Sequence, residues 1–357
     1  MSLEFSHIAH VYGSRNGSGG GTRALEDVSF IAPAGEITCL LGASGCGKST
    51  LLNLAAGLLP LQQGRIALDG EVLAAPGHFP PPEARPVGLV FQDAALFPHM
   101  TIAKNVGFGL PRARHGEIEG WLARVGLGGL GARYPHQLSG GQQQRAALAR
   151  AMAPEPRVLL MDEPFASVDI VLRRSLRREC RILLRERGTT TVLVTHDPDE
   201  ALDIADRIAV MEAGRIVQIG TPGELYEAPL APSVGAIFGG AQIVRAEVKG
   251  AGFESAFGHW PLVSARGEPP REGARVELLV QARALRLEPD AAGVHGGVTV
   301  RDVHPLGHRA RVLLRHAGGG ELTAEVPYSA AAHIRAGERY RVRPDEGSLR
   351  VFAVDGG

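Results

Sequence analysis

The sequence predicts an α/β fold over residues 1–238 and a small antiparallel β-barrel over residues 239–357. Three observations predict it. Gly42-Ala43-Ser44-Gly45-Cys46-Gly47-Lys48-Ser49-Thr50 fits the pattern G-x-x-x-x-G-K-[ST], between an apolar run and a helical one. Val158-Leu159-Leu160-Met161 is an unbroken apolar run ending in Asp162-Glu163, the mark of a central parallel strand. Beyond residue 240 the pattern becomes short alternating runs separated by Gly/Pro turns.

Residues 36–41 (Glu-Ile-Thr-Cys-Leu-Leu) read as a short buried strand, and the residues after Lys48 carry apolar side chains at helical spacing. In that context the glycines at 42, 45 and 47 let successive N–H groups curl around a phosphate, and the helix start adds its positive dipole end. Lys48 supplies a point charge for the β- and γ-phosphates, and the Ser49 hydroxyl can ligate Mg²⁺. Gly42, Ser44, Gly45, Cys46, Gly47, Lys48, Ser49 and Thr50 are the candidate nucleotide-binding residues of this loop. Asp162 at the end of the apolar strand would hold Mg²⁺ through water, and Glu163 would polarise the attacking water as general base. An isolated carboxylate pair reads equally well as a solvated loop start; beside a phosphate loop it reads as chemistry. Further on, Ser139 looks like the N-cap of a helix over 143–152, and Gly140 and Gly141 expose backbone donors at its positive end. That makes a second anion site in a chain with one nucleotide loop.

With these runs, and with Phe91-Gln92-Asp93, Ala166-Ser167-Val168-Asp169 and Thr195-His196-Asp197, the chain resembles the ATP-binding subunits of ABC transporters over essentially its whole length. The resemblance implies a P-loop NTPase (ABC ATPase) core with a helical subdomain, binding ATP and Mg²⁺. It implies that Gln92 contacts the Mg²⁺ and the lytic water, and that Asp169 helps couple two sites. His196, after the apolar strand 191–194, would reach the γ-phosphate, and Tyr12 would stack on adenine. By the same resemblance Ser139, Gly140, Gly141 and Gln142 meet the γ-phosphate held by another copy. Hydrolysis then requires a head-to-tail homodimer with two ATPs between its faces. Val168 stands where the family usually has Leu, a swap conservative in size. The Gly/Ser-rich loop at 16–21 is longer than the family leads one to expect.

Composition bounds the rest. At 357 residues two domains are the natural count, and 44% hydrophobic residues suffice for full cores. Net charge is zero, so no global field favours nucleic acid or a lipid surface. All but three of the 38 basic residues are arginine, which reads as genome composition. Cys39, Cys46 and Cys180 are odd in number and unclustered, which fits a reducing compartment. No run approaches 18 apolar residues and the N-terminus lacks a signal-peptide layout, so a soluble protein is expected, with membrane passage left to a partner. The Arg-rich stretch at 172–185 has apolar residues at 172, 176, 180 and 183 or 184, the spacing of a surface helix with one buried face and a solvated basic one.

Beyond a break at 229–240, strands are expected at 244–248, 275–280, 298–303, 310–314, 321–326, 340–343 and 349–354. Such a tail resembles the oligonucleotide-fold-like (OB-like) regulatory domains of bacterial solute importers. It holds 16 basic against 14 acidic residues and few aromatics, which argues against nucleic acid as a partner. His295, His304, His308 and His316 invite a metal reading, but Pro305 and Gly307 oppose a helix there, so strand-loop histidines are expected. The family's usual acidic or Arg-Pro pattern is altered near Gln281-Ala282-Arg283-Ala284. An ATPase alone on its chain with a C-terminal β-domain points to an importer, peripheral on the cytoplasmic face of a bacterial inner membrane. Its partners would be integral-membrane permease subunits and, indirectly, a periplasmic solute-binding protein. Residues 96–101, 134–137 and 188–190 look most like the ferric-iron group, with polyamine, thiamine and sulfate importers as alternatives. An ABC ATPase of DNA repair or translation is the different-class alternative, but the long coiled-coil insertion or second ATPase module usual there is missing from the sequence. The stretch from Gln92 to His99 joins the Mg²⁺ contact to an apolar Leu-Phe-Pro, expected to be exposed for docking of a permease helix.

Overall fold

The computed structural model describes residues 1–13, 21–238, 240–264, 270–290 and 297–354. Most of the glycine-rich loop after Tyr12, and His295, lie outside the described residues. Two compact units divide between Leu225 and Tyr226, before the Pro/Gly-rich break of the sequence.

In chain order the first unit comprises β1 (Leu3–Tyr12), β2 (Thr22–Ala32), β3 (Ile37–Leu41), α1 (Lys48–Ala56), β4 (Gln63–Leu68), β5 (Glu71–Ala74) and β6 (Val87–Val90). There follow α2 (Ile102–Val106), α3 (Ile118–Arg124), α4 (Gly140–Met152), β7 (Val158–Asp162), α5 (Ile170–Arg187), β8 (Thr190–Thr195), α6 (Pro198–Ile204), β9 (Arg207–Glu212) and β10 (Arg215–Gly220). A short α7 (Pro222–Glu227) comes next. β2-β1-β4-β5 form an antiparallel sheet, and β10-β9-β3-β8-β7-β6 a second sheet whose five strands from β9 to β6 are parallel. A parallel sheet must be covered on both faces, and its strands here are apolar throughout: β3 and β8 are buried at every position. α1 fills the space between the sheets. Its Leu51, Leu52 and Leu54 share one core with Leu3, Ile8 and Leu25 on one side and Leu40, Leu160 and Val192 on the other. Each such leucine contributes roughly 1.5–3 kcal/mol of burial. On the opposite face α6 packs on β3 and β8, with α5 against α6. α2, α3 and α4 pack on one another as the helical part of this unit, around Ile102, Val106, Trp121 and Leu122.

α5 forms as the spacing predicts, with Leu176, Cys180 and Leu184 buried. Two details differ. Leu172 is 37% exposed, because the first turn of α5 faces Gly141 and not the sheet. Arg177, expected on the solvated face, is 5% exposed and pairs with Asp203 at 3.1 Å.

The second unit begins with α8 (Pro232–Ile237), whose Gly235 lies so close to Leu279 that an added Cβ would come within 2.1 Å of it. Its strands are β11 (Ala241–Lys249), β12 (Gly252–Ser255), β13 (Gly258–Pro261), β14 (Arg275–Gln281), β15 (Leu285–Pro289), β16 (Val298–Leu306), β17 (Arg309–His316), β18 (Glu321–Pro327), β19 (Arg339–Pro344) and β20 (Arg350–Ala353), with α9 (Tyr328–Ala331) after β18. They form two antiparallel sheets, β13-β12-β11-β14-β20 and β15-β19-β16-β17-β18, closing over one core of Val244, Phe253, Trp260, Leu278, Val312 and Ala324 among others. The Trp260 indole N–H donates to the Val342 carbonyl at 3.0 Å, tying one sheet to the other. All seven expected strands are present. β12, β13 and β15 are additional to these seven.

Candidate active site

The site is assembled at the C-terminal ends of four neighbouring parallel strands. Leu41 pairs with Thr195, Val194 with Asp162, and Met161 with Val90, so the segments after β3, β8, β7 and β6 emerge side by side. Those segments are the phosphate loop, His196, Asp162-Glu163 and Gln92. Residues far apart in sequence therefore meet because the sheet order interleaves their strands.

The loop's conformation dictates its glycines. Gly47, the N-cap of α1, has φ +104°, and a Cβ there would lie 2.4 Å from the Ala24 carbonyl oxygen. Gly42 has an ordinary φ, but a Cβ would come within 2.3 Å of the Met211 carbonyl oxygen. Lys48 is 4% exposed, and its ammonium donates to the carbonyls of Gly42 and Ala43 at 2.8 and 2.9 Å. The charge is thus held across the mouth of the loop by two backbone acceptors. Ser44 and Gly45 are exposed on the loop crest; Cys46 is buried, with Sγ 3.8 Å from the Lys48 ammonium. Thr50, in the first turn of α1, takes part in a 3.1 Å hydrogen bond with the Tyr12 hydroxyl. This brings Tyr12, 43% exposed at the end of β1, beside the loop with its ring edge-on to His10.

The Ser49 hydroxyl donates to Asp162 Oδ1 at 3.0 Å, placing two hard oxygen donors together, a set that suits Mg²⁺. Burial raises the Asp162 carboxyl above its ordinary range; the Ser49 bond opposes this and the Glu163 charge adds to it. Glu163 adopts a left-handed backbone, φ +42°, while its N–H donates to the Val194 carbonyl at 3.0 Å. Its carboxylate lies 3.0 Å from His196 Nδ1. The pair forms a carboxylate with one oxygen engaged and a partly exposed imidazole alongside. Gln92 is exposed, and its carbonyl accepts from the Ser167 hydroxyl at 3.4 Å.

Ser139 caps α4 as its sequence suggests. Its hydroxyl accepts from the Gln142 N–H at 3.4 Å, and Gln142 Oε1 accepts from the Ser139 N–H at 3.0 Å. Ser139 and Gly140 are exposed. The motif packs on the segment that begins α5: a Cβ on Gly140 would lie 3.3 Å from the Ser167 carbonyl oxygen, and one on Gly141 would meet Leu172 at 2.6 Å. Asp169 is exposed at the N-cap of α5. Residues 139–142 thus lie beside Ser167, whose hydroxyl meets the Gln92 backbone carbonyl.

Leu96 and Phe97 are half-buried and Pro98 and His99 exposed. The Phe97 ring lies 4.6 Å from that of Phe108, tilted by 44°, and Phe108 is itself 61% exposed. Sequence reasoning missed two residues that shape this segment, Asn105 and Arg150. Asn105 is fully buried; its Oδ1 accepts from the Phe97 N–H at 2.8 Å and its amide donates to the carbonyls of Phe97, Met100 and Thr101. Both sit inside ordinary helical patterns, and no spacing rule marks them.

In the second unit His304 lies on β16, 2.9 Å from Asp302, and His316 ends β17, its Nδ1 accepting from the Gly318 N–H at 3.1 Å. His308 is exposed in the turn between β16 and β17. Cys39, Cys46 and Cys180 are free and buried. Among the described residues no helix is long and apolar enough to cross a membrane.

A phosphate loop at the end of a buried parallel strand, with an acidic pair and a histidine on neighbouring strand ends, defines a P-loop nucleotide hydrolase. Residues 25–166 match the ABC transporter family model, and residues 278–352 match the TOBE domain model. The chain is 46% identical over 302 residues to the Fe(3+) ions import ATP-binding protein FbpC 1 of Rhodococcus jostii (strain RHA1), covering 83% of this chain and 84% of that protein. It is 43% identical over 332 residues to the Fe(3+) ions import ATP-binding protein FbpC of Pseudomonas fluorescens, covering 91% and 92%. It is also 39% identical over 370 residues to the sulfate/thiosulfate import ATP-binding protein CysA of Ralstonia nicotianae, covering 99% and 96%. Among solved structures, the ATP-binding cassette MJ0796, a dimer in a post-hydrolysis state bound to ADP and Pi, matches with TM-score 0.53 and 27% identity, over 61% of this chain and 98% of that one. The chain belongs to the ABC transporter family.

Proposed function

We propose that this chain is the ATP-hydrolysing subunit of an importer of ferric iron, working as a homodimer on permease subunits at the cytoplasmic face of a bacterial inner membrane. A periplasmic binding protein would deliver the cargo from the other side. The observation that carries the catalytic part is the meeting of Lys48, Ser49, Asp162, Glu163 and His196 at adjacent strand ends. Gly42, Ser44, Gly45, Cys46, Gly47 and Thr50 wrap the phosphates with backbone and hydroxyl donors, and Lys48 turns from its carbonyl acceptors to the β- and γ-phosphates. Tyr12 lies against the adenine. Ser49, Asp162 and Gln92 are the residues that would hold Mg²⁺, which neutralises phosphate charge when bound. Glu163 takes the proton of the attacking water, His196 holds that carboxylate in place and contacts the γ-phosphate, and Gln92 orients the water. Ser139, Gly140, Gly141 and Gln142 of the second copy close over the γ-phosphate, and Asp169 links the two sites across the dimer.

The iron reading rests on relatives of 42–46% identity whose names specify Fe(3+) import. Sulfate is the second reading, since the sulfate/thiosulfate relatives align over up to 99% of the chain. Iron-limited and sulfur-limited growth of a deletion strain separate the two: rescue by iron chelates alone supports the first, rescue by organic sulfur alone the second. For the chemistry, Glu163→Gln should retain nucleotide and lose about 10²–10³-fold in turnover, trapping a closed dimer. Lys48→Ala should instead lose nucleotide affinity, because the fixed positive charge on the phosphates disappears. Near-normal hydrolysis by Glu163→Gln removes Glu163 from the role of base.

A further inference from the structure

The segment from Gln92 to Phe97 makes an unusual turn. Ala94 and Ala95 are both left-handed, with φ +57° and +46°, and two successive alanines in that region cost about 1–2 kcal/mol each. A conformation so disfavoured persists only where its surroundings impose it. Here the Ala94 N–H bonds to the Phe91 carbonyl at 3.1 Å and the Ala95 N–H to the Asp93 carbonyl at 2.6 Å, and one side chain grips the turn from outside. Arg150 Nη1 donates to the Ala95 carbonyl at 2.8 Å and Nη2 to the Ala94 carbonyl at 3.1 Å, a two-pronged grip in which the planar guanidinium sends one nitrogen to each acceptor. The same guanidinium lies over the Phe97 ring, 5.5 Å from its centroid. Beyond Phe97 the chain is pinned separately by Asn105.

Arg150 belongs to α4, the helix that Ser139 caps and whose exposed N-terminus carries Gly140 and Gly141. Eleven helical steps carry the chain from Ser139 to Arg150, about 16 Å of stiff rod. A displacement of the rod at its phosphate-facing end is therefore delivered, through Arg150, to the carbonyls of Ala94 and Ala95. Those carbonyls lie two and three residues from Gln92 on one side and beside the half-buried Phe97 and exposed Pro98-His99 on the other.

We propose that Arg150 is the positioning residue that ties the phosphate-facing end of α4 to the turn between Gln92 and Phe97. Docking of residues 139–142 on a γ-phosphate and movement of the Phe97 surface are thereby one event. The inference rests on the nucleotide-binding roles proposed above for Gln92 and residues 139–142.

The test places a bimane fluorophore at the exposed position 99, through His99→Cys in the full chain; the native thiols are buried, so the label goes to the new one. MANT-ATP titration reports binding, bimane emission reports the turn, and phosphate release is followed in parallel. In the labelled parent, saturating MgATP changes the emission. Arg150→Gln should keep MANT-ATP affinity within about threefold and lose most of the emission change, since the phosphate loop is untouched and the fork is gone. Arg150→Lys, which keeps the charge but lacks the planar fork, should recover part of it. The proposal is overturned if Arg150→Gln responds like the parent, if the parent shows no emission change, or if Arg150→Gln loses nucleotide binding as well, which makes the residue merely structural. A parent that binds and responds but releases no phosphate refutes the hydrolysis reading and leaves this inference standing.

Discussion

Glu200 carries a charge problem that the site chemistry does not use. It follows the N-cap Asp197 on α6 and is 3% exposed. Burial pushes its carboxyl up to about 7, against the opposing influence of the Thr195 hydrogen bond and the Arg177 charge. The folded protein therefore holds a proton there that the unfolded chain, with an ordinary value of 4.5, has released. Stability contributed by this group is complete below about pH 4.5 and falls as pH rises to about 7, by roughly 3 kcal/mol. Glu200→Gln should abolish that slope and raise the denaturation midpoint at pH 8. Denaturant melts of both proteins at pH 5 and pH 8 check it, and parallel slopes would exonerate Glu200. At this scale the sequence shows Lys48, Ser49, Asp162, Glu163 and His196, because spacing and strand ends mark them. It does not show Glu200, Asn105 or Arg150, whose meaning comes from what surrounds them.

Among the elements, the turn from β3 into α1 tolerates little change. At Gly47 a side chain would face both an unfavourable φ of +104° and the Ala24 carbonyl. Gly47→Ala should destabilise the protein by about 2 kcal/mol or more and lose nucleotide binding. Gly116 offers the contrast, since a Cβ there meets nothing within 4 Å; Gly116→Ala should change stability by about 0.5 kcal/mol or less. Thermal melts of the two variants side by side decide the matter. The requirement for glycine at 47 is legible in the G-x-x-x-x-G-K-[ST] pattern, but its cause, β2 passing behind the loop, is not. The same holds for α5. Its apolar period foretold a buried face, yet Leu172 serves Gly141 instead, because which turn of a helix meets the sheet depends on where the helix is docked.

For the whole molecule the exposed capped start of α4 at Ser139 and Gly140, a second anion-facing group in a chain with one phosphate loop, bears on assembly. If each complete site takes one cluster from each copy, a forced heterodimer of Lys48→Ala and Ser139→Arg chains keeps one intact composite site. It should turn over ATP at a substantial fraction of the parental rate, whereas either mutant homodimer is inactive. A heterodimer as dead as the homodimers would count against the shared site. Docking on the permease is tested at Phe108, which is 61% exposed and lies beside the Phe97 ring. Phe108→Asp should leave ATP turnover of the isolated subunit within about twofold while abolishing transport, as loss of an exposed apolar anchor does. Phe97 is the poorer choice of target, because it also lies under Arg150.

The sequence by itself determined the chemistry of the loop, the parallel strands, the caps and the alternation of the β-rich tail. These are properties of neighbouring residues: a helix cap, a glycine turn and an apolar period are each satisfied within a dozen positions. Only the tertiary structure decided which strand ends stand together, that Tyr12 reaches Thr50, that Ser167 reaches Gln92, and that Arg150 grips the turn at Ala94 and Ala95. Sheet order and helix docking set those contacts. They depend on the packing of whole elements, which no local run of residues encodes.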